Sequence, residues 1–343
     1  MQYINLGKTG LKVSRICLGC MSYGDPSDVN RTWVLRDEES RPFFKQALDA
    51  GINFFDTANV YSNGVSEEIT GRALKDFAKR DEIVLATKVH GQMRGDPNGK
   101  GLSRKAILTE IDHSLKRLQT DYVDLYQVHW PDRTANRFGQ VGYRHVDAEQ
   151  PVPIEETLAA LTELVREGKA RYVGVSNETP WGVAQYLKAA DGGALERIAS
   201  IQNPYNLLNR GFETGLAEFA IRERIGLLAY SPLAFGMLTG KYLDGARPPE
   251  ARVVRWPRYG RYNGEAAQRA TAEYVALARR HGLDPAQMAI AFAKSQRFVA
   301  SVLLGAATLA QLEVDLAADA LRLDPEIIEE LEQVQRRHPN PAA

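Results

Sequence analysis

At 343 residues the chain is long for one domain, yet barrels of alternating strands and helices run to this length as a single unit, and 44% hydrophobic residues can fill one large core. Lysine plus arginine equals aspartate plus glutamate at 43 each, so no net field draws the chain to nucleic acid or to an anionic membrane. The start, MQYINLGKTG, lacks a basic segment followed by an apolar stretch, and no apolar run approaches a membrane span, so the expected location is cytoplasmic.

Residues 2–14 read as a short hairpin turning at Lys8-Thr9-Gly10, suited to plug one end of a barrel. Strand-like runs follow near 16–19, 53–56, 83–88, 123–129, 171–176, 199–203, 226–230 and 301–305. Between them, apolar residues recur at three and four positions in 38–50, 66–79, 104–118, 155–167, 180–190, 212–224 and 285–296, as helices require. Thr308 opens an eighth helix, Asp324 caps a terminal one beginning at Pro325, and 265–281 is a helix extra to the repeat. This strict alternation predicts a parallel sheet with helical crossovers. The fold expected is a (β/α)8 TIM barrel with an N-terminal β-hairpin plug and extra C-terminal helices, residues 1–343 forming one domain.

Two connections are long. Residues 130–153 follow His129 and are expected to wall a substrate pocket, and the basic loop 245–264 reads as a flap.

Three of the strands end in chemistry. GINFFDTANVY stops on Asp56 and carries Tyr61 five residues later, IVLATK closes on Lys88, and VDLYQVH closes on His129. In a parallel barrel these ends converge on the carboxyl face. A phenol is a reluctant acid at neutral pH, but an adjacent ammonium stabilises its phenolate. Tyr61 is thus the candidate general acid toward a carbonyl oxygen, Lys88 its activator, Asp56 the anchor of Lys88, and His129 a donor that orients the substrate. Nothing in this set stores electrons, so a hydride has to come from a bound cofactor.

Other patterns have plainer readings. Cys17 and Cys20 share a CxxC spacing, but the run ICLGC ends a strand rather than opening a helix, and the pair reads as packing thiols. GMLTGKY is too short for a phosphate loop, although its glycines permit close approach to a pyrophosphate. RVVRWPRYGRY mixes basic and aromatic residues as single-strand nucleic-acid sites do, and with zero net charge it reads as a cofactor flap or solvated loop. The remaining histidines share no ligand spacing, so no metal is expected.

The four residues, with the stretches LKRLQTDYVDLYQVHWP, GKARYVGVSNET, IQNPYNLLNR and LLAYSPLAFGMLTGKY, resemble the aldo-keto reductases over nearly the whole chain. The likeness is to one bacterial branch of that family up to about residue 110 and to another from Ser114 onward. The resemblance implies a catalytic set of Asp56, Tyr61, Lys88 and His129 and the cofactor NADP(H). It also implies that Ser176, Asn177 and Gln202 hold the nicotinamide carboxamide and that Tyr230 stacks on the ring. Ser231, Leu233, Gly236 and Lys241 would wrap the pyrophosphate, while Gly305, Ala307 and Gln311 would grip the adenosine end. The arginine that many relatives carry after the eighth-strand glycine is absent from GAATLAQ, and Val314 and Asp315 replace an acid and an asparagine. Arg252, Arg255 or Arg258 is then expected to contact a 2'-phosphate. Tyr23, Trp130, Phe138 and Tyr205 are the candidates for an aromatic substrate pocket.

The expected activity is reduction of a small-molecule aldehyde or ketone, with the oligomeric state left open. Two alternatives stand beside it: a nicotinamide-sensing binding protein with little turnover, and a phosphosugar isomerase.

Overall fold

The computed structural model describes residues 1–28, 32–140 and 142–342, with the side chains of 257–259 set aside. Among the described residues ten strands are formed: β1 (Tyr3–Asn5), β2 (Lys12–Ser14), β3 (Ile16–Gly19), β4 (Phe54–Asp56), β5 (Val84–Val89), β6 (Val123–Val128), β7 (Ala170–Ser176), β8 (Ser200–Pro204), β9 (Gly226–Tyr230) and β10 (Val299–Leu304). The last eight close on themselves as β10-β3-β4-β5-β6-β7-β8-β9, every pair parallel, so the (β/α)8 barrel expected from the alternation is present.

The hairpin also forms, with Tyr3 opposite Ser14 and Asn5 opposite Lys12. Leu6 and Val13 are fully buried and join Cys17, Phe54, Val84, Leu125, Leu228 and Leu303 in one cluster. The hairpin therefore stops the barrel with its own apolar side chains, as a plug.

Helices Asp37–Asp49, Val65–Phe77, Arg104–Leu118, Ile154–Arg166, Pro180–Ala190, Phe212–Arg222, Pro285–Ser295 and Leu309–Ala317 form the outer layer. Their starts follow side-chain chemistry. Ser103 accepts from the Ala106 amide, Thr179 from Gly182, Asp284 from Ala286 and Gln287, and Thr308 from Gln311, each satisfying a donor that a first helical turn leaves open. Asp324 sits at the N-cap of the terminal helix Pro325–Arg337, but its side chain makes no capping bond. The extra helix is Glu265–Arg280, and the flap ahead of it holds a short helix at Arg252–Arg255 and a tight turn at Pro257–Tyr262. No helix among the described residues is long and apolar enough to cross a membrane.

Candidate active site

Alternation along a strand sends every second side chain into the barrel. Phe54 therefore joins the interior cluster, Phe55 packs outward among the helices, and Asp56 turns inward again at the strand's end. The same parity takes Val84, Ala86 and Lys88 inward on β5, Leu125 and Gln127 on β6, and Ser200 and Gln202 on β8. Asp56 and Gln202 stand on opposite sides of the eight-stranded ring, yet the Gln202 amide donates to Asp56 Oδ1 at 2.9 Å, a bond that spans the interior.

Asp56 Oδ1 also accepts from Gln127 Nε2 at 2.9 Å, and Asp56 Oδ2 accepts from Lys88 Nζ at 2.5 Å. The remaining Lys88 hydrogens go to the Thr57 carbonyl at 2.7 Å and the Tyr61 hydroxyl at 3.2 Å, which uses all three ammonium donors. Lys88 is fully buried. Burial alone pulls its ammonium down, but Asp56 first and Tyr61 second more than offset this, and the group is held above its usual value. The positive charge is thus permanent at neutral pH and sits against the phenol oxygen. The His129 ring meets Tyr61 edge-on, centroids 5.6 Å apart, and the His129 amide continues the β5–β6 ladder by donating to the Val89 carbonyl. The four residues read from the strand ends converge.

A cavity of about 1110 Å³ runs from Tyr61 and His129 across Tyr230 and Lys241 to Gly305 and Gln311. Ser176, Asn177, Gln202, Ser231, Leu233, Gly236, Arg252 and Ala307 also line it. One hydrogen-bond chain organises the near wall: Tyr230 donates to Asn177 Oδ1 at 2.6 Å, Asn177 donates to the His129 carbonyl at 2.9 Å, and Ser176 Oγ donates to the Gln202 carbonyl at 2.7 Å. At the far end the Gln311 side chain accepts from the Ala307 amide.

The wall suits a dinucleotide. Tyr230 offers a flat face, and Gly236, at φ +89°, turns the chain where a Cβ would run into the Lys241 side chain. Burial first and Arg252 second depress the Lys241 ammonium, and only Asp315 opposes them, so the wall sets two cations near each other. The carboxyl of Asp315 is buried without a hydrogen bond among the described residues, and burial first and Asp284 second push it up to about 7.

Two of the four expected pocket aromatics are elsewhere. Trp130 and Phe138 line the mouth, their rings 5.1 Å apart and edge-on. Tyr23 does not; it is buried against Phe43 and Phe44, because Met21 and Ser22 take the wall and the turn after β3 points Tyr23 at the helix Asp37–Asp49. Tyr205 does not either. It lies one residue beyond β8 at the outward parity, stacked on Phe292 and donating to Glu213. Arg255 pairs with Glu250 and is no part of the wall, while the Arg258 side chain lies outside the described residues.

Sequence reading missed Gln127, Trp33, Phe235 and Arg261. Gln127 carried a signal, two places before His129 and hence on the same face of β6. Trp33, Phe235 and Arg261 enter the wall from loops, with Arg252 lying 4.0 Å over the Trp33 ring and the Trp256 indole donating to Thr32 at 2.9 Å. The long connection 130–153 and the flap both reach the cavity, as their lengths suggested.

Comparison with known proteins agrees with this geometry. Residues 15–336 match the model of the aldo/keto reductase family. The chain is 45% identical to protein Tas of Escherichia coli strain K12 over the full length of both. It is 35% identical to a probable voltage-gated potassium channel subunit beta of Arabidopsis thaliana, covering 99% of this chain and 98% of the other. Identity to versiconal hemiacetal acetate reductase of Aspergillus parasiticus is 33%, covering 97% and 96%. A barrel of this closure, with a match across nearly its whole length, belongs to the aldo/keto reductase family.

Proposed function

We propose that this carbonyl oxidoreductase reduces aldehydes and ketones to alcohols with NADP(H), and that Tyr61 is its general acid. The observation that carries the reading is the saturated Lys88 ammonium, buried between Asp56 and the Tyr61 hydroxyl. When bound, the nicotinamide supplies the hydride that reaches the carbonyl carbon. The chain's own residues do the rest. Tyr61 accepts a hydrogen bond from Lys88, so its own proton is available to the substrate oxygen, and the phenolate left behind faces a fixed positive charge. His129 donates to the same oxygen and orients it. Asp56, held by Gln127 and Gln202, keeps Lys88 in place without drifting toward the reacting atoms. Asn177 and Tyr230 hold one face of the cavity in register with His129.

NADP(H) is favoured over NAD(H) because Lys241 and Arg252 stand close enough to act on each other at one place in the wall, although Glu250, Asp284 and Asp315 line it too. A panel of aldehydes and ketones, incubated with NADPH and NADH in parallel and followed by nicotinamide absorbance, tests the reading. Oxidation of NADPH that depends on both carbonyl and protein is expected. Tight NADPH binding without turnover on any carbonyl would instead favour a sensing role, a reading that draws on the relative named as a channel subunit.

A further inference from the structure

Other arginines withdrawn from water have strong partners: Arg15 donates to the Lys294 carbonyl, while Arg210 is held by Glu213 and Glu332, Arg133 by Glu178, and Arg117 by Glu67. Arg261 breaks that pattern. It is half-buried in the cavity wall, and among the described residues no carboxylate lies within ion-pair distance of it. Its guanidinium is 3.8 Å from the centre of the Phe138 ring, 4.7 Å from Tyr262 and 4.9 Å from Phe235. Nη2 donates to Ser231 Oγ at 3.4 Å, while Nε is buried without an acceptor. Withdrawing a cation from water with no counter-charge is costly, and a ligand anion would remove that cost.

Two anions are conceivable, a dinucleotide phosphate and a group on the substrate. The first already has Lys241 and Arg252, which crowd each other beside Asp315. Arg261 shares the Phe235 ring with Arg252 and reaches Ser231 of the expected pyrophosphate loop, but its other contacts face the mouth. Its guanidinium is 6.0 Å from the centre of the Tyr230 ring, whose hydroxyl donates to Asn177, whose amide donates to the carbonyl of His129. Phe138, the ring that carries the guanidinium, also packs edge-on against Trp130 at the mouth. The cation thus stands where the aromatic mouth meets the expected dinucleotide wall, with its shortest ring contact on the mouth side.

We propose that Arg261 sets substrate class by holding a carboxylate, so that the preferred substrate is a carbonyl compound bearing a carboxylate on an aromatic or apolar frame. This rests on the reductase reading above. Phe138 lies 3.8 Å from the guanidinium carbon, and a fork of donors beside an apolar ring favours planar pairing with a carboxylate.

The test compares 4-formylbenzoate with 4-formylbenzamide, which has the same shape and no charge. With NADPH, the native protein is expected to favour the acid in kcat/KM by about 10- to 100-fold, and Arg261→Met to bring the ratio near one. Unreactive benzoate and benzamide, titrated by tryptophan fluorescence with oxidised dinucleotide present, should show the same preference and the same loss. Equal handling of acid and amide by the native protein overturns the proposal, as does an unchanged preference in Arg261→Met. So does a loss of dinucleotide affinity in that variant as large as the loss on the acid, which would make Arg261 a cofactor contact. Should circular dichroism show that Arg261→Met does not fold, Arg261→Lys takes its place, expected to bind benzoate about tenfold more weakly because a point charge replaces a fork; native-like benzoate affinity there overturns the two-point pairing. If no aldehyde is reduced at all, the reductase reading falls, and the benzoate titration still decides this one.

Discussion

At the end of the cavity where β4, β5 and β8 meet, Asp56, Lys88, Gln127 and Gln202 are matched donor for acceptor inside the protein. At the other end the buried Asp315 and half-buried Lys241 feel each other's charge with no hydrogen bond from either side chain among the described residues, and each is shifted toward neutrality by burial. The same fold thus treats two sets of neighbouring carboxyl and ammonium groups in opposite ways. The first is finished before any ligand arrives and can only position; the second is left for a ligand to complete. Pre-organisation at the reacting end and adaptability at the binding end follow from where each pair finds its hydrogen bonds.

The largest expected effect breaks the finished end at its working atom. Tyr61→Phe should lower turnover by about a hundredfold to ten-thousandfold, the range of a lost general acid, with dinucleotide binding retained when titrated by fluorescence. Next comes Asp56→Asn. It leaves the Lys88 ammonium buried opposite a neutral amide and should cost about 3–5 kcal/mol in urea unfolding.

Asp315→Asn sharpens the contrast through pH. With its carboxyl raised from 3.8 to about 7, the folded protein keeps a proton that the unfolded chain has released, so stability is full below the unfolded value and falls as pH rises toward about 7. The slope is about 1.4 kcal/mol per pH unit, and asparagine removes it. Urea midpoints at about pH 5 and about pH 8 should differ more in the native protein than in the variant.

One substitution made at each end gives the smallest effects. At Gly174, inside the barrel beneath Gln202, a Cβ would lie 2.5 Å from Ser200 Oγ and 3.3 Å from Leu125, so alanine should cost about 1–3 kcal/mol. At Gly236 the Cβ meets only the flexible end of Lys241, and the positive φ sets the cost at about 1 kcal/mol. Thermal unfolding of the two variants side by side checks the order.

How much of this was legible in the sequence depended on parity and on range. Asp56, Lys88 and His129 could be read because each closes a run of apolar residues, and a strand's end in a parallel barrel has one destination. Gln127 is legible by the same rule, since it shares the face of His129 two places earlier in VDLYQVH. Tyr23 and Tyr205 were misplaced because residue type was followed where parity should have been: Tyr205 falls on the outward beat of β8, and a tight turn rotates Tyr23 off the wall. Arg261 and Trp33 had no local signal. Their place depends on loops meeting across the barrel mouth, as the Trp256–Thr32 hydrogen bond shows, and no short-range pattern encodes such a meeting.

Cys17 and Cys20 lie on β3 and in the turn after it, fully buried, with both thiols pushed up by burial, Cys20 to about 12. Cys17 sits in the barrel interior on β3, the strand that ties β10 to β4, so an alkylating reagent reaches it through an opening of the ring, whereas Cys20 packs toward the helices. The silent sulfur of Cys17 therefore serves as a clock for the closed ring: the pace at which iodoacetamide marks it counts how often the ring opens, and a molecule that settles in the cavity should slow it.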